Sequence, residues 1–313
     1  MKTAGNKYGS FIALITLLAL LVGVPGYMSS YTVILITNIL MYVVLTLSWA
    51  IFSAPTGYIS LASAAFFGTG VYASALLSSS LPLPVVIVIG GSASFTLAFL
   101  VGSLTLRLKG MYFTMFTFGL VELVRNSLHW WEVNITGTVG RIILSADNTA
   151  IFYSMVGIFV SVLLVSYLIK RSRFGLALES IGESEEAAAH SGVNVTRVKA
   201  VTFAVSAFFM GAAGATMSMR WTYIDPTTAF NIQFSFMPVL MAIFGGTAHL
   251  YAPIAGATVF ALLEELLTTK FPYYYMLIFG LIMLAVIRFM PRGLEGGIEK
   301  WRKSVETGSA AKT

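Results

Sequence analysis

The sequence predicts an all-α polytopic membrane protein with about ten transmembrane helices, in two halves of inverted topology joined by a cytoplasmic helix. Three observations carry this. Of the 313 residues 57% are apolar and only 10% charged, against about a quarter charged in soluble domains, and mean hydropathy is +0.85. Apolar runs recur at lengths near the ~20 residues that cross a hydrocarbon core. One long polar stretch, FGLALESIGESEEAAAHSGVNVTRVK at 174–199, interrupts them near the middle of the chain.

The elements follow in order. Lys2 and Lys7 precede an apolar run at 11–24. A basic segment before an apolar one also fits a signal peptide, but Pro25-Gly26-Tyr27 reads as a turn, so we read a retained first span. Residues 31–52 form the second, with Asn38 inside it facing protein. Residues 54–77 are dense in Gly, Ala, Ser and Thr, which suits close helix packing or a broken or re-entrant helix lining a cavity. Spans at 85–106 and 111–128 follow. The latter carries Glu122 and Arg125 three apart on one face, either a functional pair or two snorkelling side chains. The loop at 129–148 contains Thr136-Gly137-Thr138-Val139-Gly140, readable as an anion-binding backbone or as a surface turn. Spans at 150–169 and 200–219 bracket the polar island, the second with a close-packing MGAAGA face. A short span at 234–246 holds Pro238, another runs from 253 to 267 with Glu264 and Glu265 near its outer end, and the last, at 273–288, opens on a tyrosine anchor.

Charge placement sets orientation. With about ten crossings and a cytoplasmic N-terminus, only Arg125, Arg141, Arg220 and Lys270 of the 19 basic residues fall at or beyond the outer half. Both termini and the island are therefore expected in the cytoplasm, in a multi-pass protein of the cytoplasmic (plasma or inner) membrane. The organisation is one transmembrane domain at 1–290, with its cytoplasmic loop at 170–199, and a cytoplasmic tail at 291–313. The basic balance then reflects topology and lipid contact rather than nucleic-acid binding.

The island reads as one helix from about 176 to 191, with Leu178, Ile181 and Ala188 on an apolar stripe, Glu179, Glu183, Glu185 and Glu186 in water, and Gly192 as its stop. A long polar loop helix in such a chain points to docking on a soluble partner. Gly68-Thr69-Gly70 and Gly245-Gly246 are expected as glycine interruptions at comparable depth in the two halves, the signature of a transport pathway. Gly57, Ser60, Ser63, Gly68, Gly70 and Tyr72, with Gly245, Gly246 and Gly256, are the expected pathway lining. There is no cysteine, no ligand spacing among His129, His190 and His249, and no GxxxxGK[ST] loop. No metal site or catalytic set is expected, and the energy for transport must come from a partner ATPase or an ion gradient.

Four stretches then carry a resemblance: GYISLASAAFFGTGVYASALL (57–77), LKGMYFTMFTFGLVELVRN (108–126), the island with VNVTRVKAVTFAVSAFFMGAAGA (193–215), and PVLMAIFGGTAHLYAPIAGA (238–257). Over nearly its whole length the chain resembles the branched-chain amino acid ABC transporter permeases, LivM-like branch. The resemblance implies a second, LivH-like permease subunit, two ABC ATPase subunits that bind ATP and Mg, and an extracytoplasmic substrate-binding protein. No cofactor is implied on this chain itself. It implies leucine, isoleucine or valine as substrate, with urea and short amides carried by close relatives. An ion-coupled secondary transporter or channel acting alone is the reading from another class. Glu186-Ala187-Ala188 and Gly192 match the EAA-x-x-x-G pattern of the family's coupling helix, assigning ATPase coupling to Glu179, Glu183, Glu186, Ala187, Ala188 and Gly192. The family often has arginine where this chain has Glu179 and Gly182. On this view Ala187→Pro should be severe and Glu185→Ala mild.

Overall fold

A computed structural model describes residues 21–284 apart from 22, 107, 109, 144, 145, 248, 275, 276, 279 and 283. Most of the expected first span, the end of the last and the tail lie outside the described residues. The expected last span is helical at 277–278, 280–282 and 284. The described elements are α1 (Ser30–Thr56), α2 (Ser63–Leu77), α3 (Leu83–Thr105), α4 (Met111–Trp131) with a π turn at Glu132–Thr136, α5 (Asn148–Arg171), α6 (Arg173–Glu183), α7 (Glu185–His190), α8 (Val195–Met217), α9 (Pro226–Ala229), α10 (Gln233–Gly245) and α11 (Tyr251–Lys270). A two-residue antiparallel pair, β1 (Arg141–Ile142) with β2 (Tyr223–Ile224), ties two loops together.

Among the described residues six helices are long and apolar enough to cross a bilayer: Ser30–Thr56, Leu83–Thr105, Asn148–Arg171, Val195–Arg220, Pro226–Gly245 and Tyr251–Lys270. The chain is thus an all-α polytopic membrane protein. Several hydroxyls in the spans are satisfied locally. In α1 those of Thr37, Thr46, Ser48 and Thr56 donate to carbonyls four residues back, whereas the buried hydroxyls of Ser53 in α1, Ser74 in α2 and Ser166 in α5 have no hydrogen-bond partner among the described residues.

The core is built where small residues let backbones touch. A Cβ on Gly70 would lie 1.9 Å from Gly211 O, and one on Gly214 2.1 Å from Phe67 O, which seats α2 against α8. Gly90 faces Ala215 and Ser94 faces Gly211, which brings in α3. The MGAAGA face is therefore a packing face, as its composition predicts. Gly245 and Gly256 do the same for α10 and α11: their Cβ positions fall 2.1 Å from Ala252 O and 2.3 Å from Met241 O.

The expected glycine interruption is displaced. Gly68 and Gly70 sit inside an unbroken α2, and the backbone leaves the helix earlier, at 57–62. The helix α1 runs through Pro55 and stops at Gly57, whose φ of 70° is left-handed. The next residues are not helical, and α2 begins only at Ser63. Ser94 Oγ donates to Phe66 O (2.8 Å) and also abuts Gly211, so the first turn of α2 is level with a point late in α8. The six residues 57–62 cover the remaining depth, which an extended chain does at roughly 20 Å for that length.

Non-helical backbone at membrane depth must be satisfied by protein, and here side chains do it. Thr114 Oγ1 donates to Ile59 O (2.9 Å), Trp49 Nε1 donates to Ser60 O (2.9 Å), and the Leu61 N–H donates to Thr117 Oγ1 (3.0 Å). The Ala64 N–H, at the start of α2, donates to Ser235 Oγ at the start of α10 (3.2 Å). Two short helices of 15 and 13 residues thus begin beside one another and run toward opposite ends of the bundle. Thr117→Val should strand the Leu61 N–H in a buried site and cost about 1–3 kcal/mol. Thermal unfolding of the purified chain measures this, and an unchanged midpoint would contradict the assignment.

Candidate functional site: the loop end of the bundle

The polar island folds as a helical hairpin rather than the single helix expected. Ser172 opens α6, its Oγ accepting from the Gly175 N–H (3.3 Å). At Ser184 the backbone is extended (φ −160°, ψ 115°), and Ser184 Oγ accepts the Ala187 N–H (3.3 Å), starting α7. Serine competes well for such a cap because its hydroxyl replaces a missing helical acceptor. The stop is the one expected. Val193 N–H donates to Ala188 O (3.1 Å) and Gly192 N–H to Ala189 O (3.0 Å), with Gly192 at φ 84°. This paired pattern requires a left-handed residue at the glycine. Two residues on, Asn194 caps α8, its Oδ1 accepting the Arg197 N–H (3.1 Å).

The apolar stripe of the island is not free for a partner. Leu178, Ile181 and Ala188 are buried within this chain. Gly182 lies so close to the end of α1 that a Cβ would meet Pro55 O at 2.1 Å. Arginine, common here in the resembling family, would not fit without moving α6. Glu179, Glu183, Glu186, Ala187 and Gly192 remain exposed and form the outward face of the hairpin. Ala188, grouped with them by sequence, faces inward. Beneath α6 is a cavity of about 450 Å³ bordered by Pro55, Lys170, Glu179, Gly182, Glu183 and His249.

Glu185 is the main correction. It was expected in water beside its neighbours, but its Oε1 accepts from Lys199 Nζ (2.7 Å) and from Tyr58 Oη (2.6 Å). Lys199 is 2% exposed and Glu185 20%. The same ammonium donates to Leu106 O (2.8 Å) and lies 4.5 Å from the centroid of the Tyr58 ring. Four pieces of chain meet at this one charge: the broken segment, the end of α3, the start of α7 and the start of α8. The sequence held a faint signal for it. Lys199, Thr202, Phe203 and Ser206 repeat at helical spacing and are all buried, so the lysine belongs to the inner stripe of α8 rather than to its polar approach.

The other expected residues are placed as follows. Gly57 caps α1. Ser60 offers its carbonyl to Trp49 and its hydroxyl to the Ala62 N–H. Ser63 and Gly68 are buried against neighbouring helices, Gly68 beside the Phe230 ring. Gly246 breaks the chain after α10 at φ 99°. Tyr72 is buried and donates to Glu132 Oε1 (3.3 Å), while Glu132 Oε2 accepts the Gly140 N–H (2.9 Å). The 136–140 turn thus already spends an amide on an internal carboxylate, one that sequence reasoning missed. Glu122 and Arg125 do pair, on a face of α4 about a third exposed, far from the island hairpin. Among the described residues no group of three or more metal-ligating side chains occurs.

Residues 31–287 match a family described as "Branched-chain amino acid transport system / permease component". The high-affinity branched-chain amino acid transport system permease protein LivM of Escherichia coli (strain K12) is 26% identical over 324 aligned residues, covering 93% of this chain and 76% of that protein. The ribose import permease protein RbsC of Haemophilus influenzae is 26% identical over 243 residues, 70% of this chain and 72% of its own length. The permease protein LivH of Escherichia coli (strain K12) matches 44% of each chain at 26% identity. No solved structure matches.

Proposed function

From a chain that belongs to the branched-chain amino acid transport permease family, we propose a specific role: the LivM-like subunit of an ABC importer for small apolar amino acids of the leucine, isoleucine and valine class. The observation that carries the substrate class is coverage. The LivM relative aligns along 93% of the chain, whereas the ribose permease aligns along 70%. The partners of this reading are a LivH-like second permease, two ABC ATPases carrying ATP and Mg, and an extracytoplasmic binding protein. The chain sits in the cytoplasmic membrane with about ten crossings in two antiparallel halves, and with the island and both termini inside.

In this reading the exposed face of the hairpin, with Glu179, Glu183, Glu186, Ala187 and Gly192, docks on an ATPase. Movement of α7 is handed through Glu185 to Lys199 and Tyr58, and so to the broken segment at 57–62. The solute passage runs beside that segment and the Gly246 turn. Gly68, Gly70, Gly245 and Gly256 hold the helices around it, and a tight bundle transmits a push better than a loose one.

The test is uptake of labelled leucine, urea and ribose by the complex reconstituted in vesicles, with a cysteine at Ser191 as the only thiol. We expect ATP-dependent leucine accumulation and no labelling of the cysteine by an impermeant reagent from outside. Ribose or urea uptake in place of leucine overturns the substrate, uptake driven by an ion gradient without ATP overturns the ABC role, and outside labelling overturns the orientation.

A further inference from the structure

At the end of the bundle away from the island, a second cavity of about 310 Å³ opens between α1, α8 and α11, near the lower end of small-molecule pocket sizes. Its border includes Arg220, Asn38, Glu264, Tyr42, Trp221 and Phe234. Arg220 Nη1 donates to Asn38 Oδ1 (2.7 Å), and Tyr42 Oη donates to Glu264 Oε1 (3.4 Å). Both charged side chains are half-buried. Among the described residues the ion pairs are Glu122 with Arg125 and Lys199 with Glu185. Arg220 and Glu264 therefore face one cavity with opposite charges, each held by a neutral partner and neither neutralised by the other.

We propose that this cavity binds a zwitterionic α-amino acid, its carboxylate on Arg220 and its ammonium on Glu264. A half-buried charge without a counter-ion is costly, and a zwitterion supplies both counter-ions at once. An anion alone would meet Glu264 and the adjacent Glu265, and a cation alone would meet Arg220. A neutral sugar or urea would leave both charges unpaired. The neutral anchors Asn38 and Tyr42 are one turn apart on α1, roughly 6 Å along the axis, so both charged side chains are tethered to one short stretch of α1 at the same cavity. Aromatic rings supply the apolar wall. Phe234 lies 4.4 Å from Phe67 and 6.5 Å from Trp221 between centroids, and this cluster closes the cavity toward the start of α2. A guanidinium suits the carboxylate because its planar fork donates two parallel hydrogen bonds.

This site deepens the transport reading and rests on it for the choice of an amino acid. The test is tryptophan fluorescence of the full chain in lipid nanodiscs, titrated with L-leucine, L-leucine methyl ester, N-acetyl-L-leucine and D-ribose. Leucine should give a saturable change. The ester, which lacks the carboxylate charge, and the N-acetyl compound, which lacks the ammonium, should each bind about tenfold more weakly or worse, and ribose should not bind. Arg220→Gln should remove the preference over the ester while keeping that over N-acetyl-leucine, and Glu264→Gln the reverse. Equal binding of either blocked compound to the unaltered chain, or no saturable response to leucine, overturns the site without relying on any variant to fold. If that happens while the reconstituted complex still imports leucine, the site fails and the transport reading stands. Import of ribose instead would sink the transport reading.

Discussion

In the proposed importer, Glu185→Ala is expected to uncouple ATP hydrolysis from uptake and to lower the stability of the chain by roughly 3 kcal/mol. The size follows from what is left behind. Lys199 is 2% exposed, and with the carboxylate gone its ammonium keeps only Leu106 O and the Tyr58 hydroxyl. Lys199→Met is expected to cost less, because the abandoned Glu185 is 20% exposed and turns toward water. The double variant Glu185→Leu/Lys199→Met separates the two roles. Replacing a buried pair by apolar groups is often neutral for stability, so it should melt near the unaltered chain yet show no substrate-stimulated ATPase activity in the complex. Full stimulation in the double variant would show that the hairpin does not act through this charge. Ala187→Pro, which the sequence alone ranks as the severe change, is expected to be the milder. Its N–H serves only the Ser184 cap, in a first turn where proline is tolerated, so the cost is about 1 kcal/mol.

The second large effect is on assembly. Gly70→Ala places a methyl 1.9 Å from the Gly211 carbonyl, where backbone faces backbone and no side chain can rotate away. Separating α2 from α8 to admit it should cost about 3 kcal/mol or more. The variant should reach the membrane poorly or melt well below the unaltered chain. Gly157→Ala on α5 is the matched control: nothing lies within 4 Å of its Cβ position, and alanine in a helix gains about 0.5–1 kcal/mol over glycine. Thermal unfolding of both variants in the same detergent compares them directly. Equal midpoints would mean that the α2–α8 contact is not what holds the bundle.

The contrast between these two regions explains what could be read from the sequence. Six of the expected spans, at 31–52, 85–106, 150–169, 200–219, 234–246 and 253–267, the close-packing MGAAGA face and the glycine stop at 192 were legible, because each rests on local periodicity or on one residue's backbone freedom; the stretch at 111–128 is helical but is not among the helices long and apolar enough to cross a bilayer. The break at 57–62 was anticipated as a property of the 54–77 stretch but assigned to the wrong glycines. Its position depends on hydroxyls of α4 and on Trp49, which sequence spacing does not bring near it. The Glu185–Lys199–Tyr58 junction was missed for the same reason: its members are 14 and 127 residues from Glu185 along the chain. The island's stripe was found correctly, but its burial partner was misjudged, since a stripe shows that something covers a helix and not whether that cover belongs to the same chain.

The 57–62 segment has one more consequence. In a helix, freeing one peptide group disturbs a cooperative ladder. Here the Ile59 carbonyl and the Leu61 amide are held by threonine hydroxyls of α4, and a hydroxyl changes partner by a single χ1 rotation. The rungs of this stretch can therefore be exchanged one at a time, as handholds are on a climb. The bundle thus holds a strip of main chain whose bonds are separately replaceable, beside helices whose bonds form and break together.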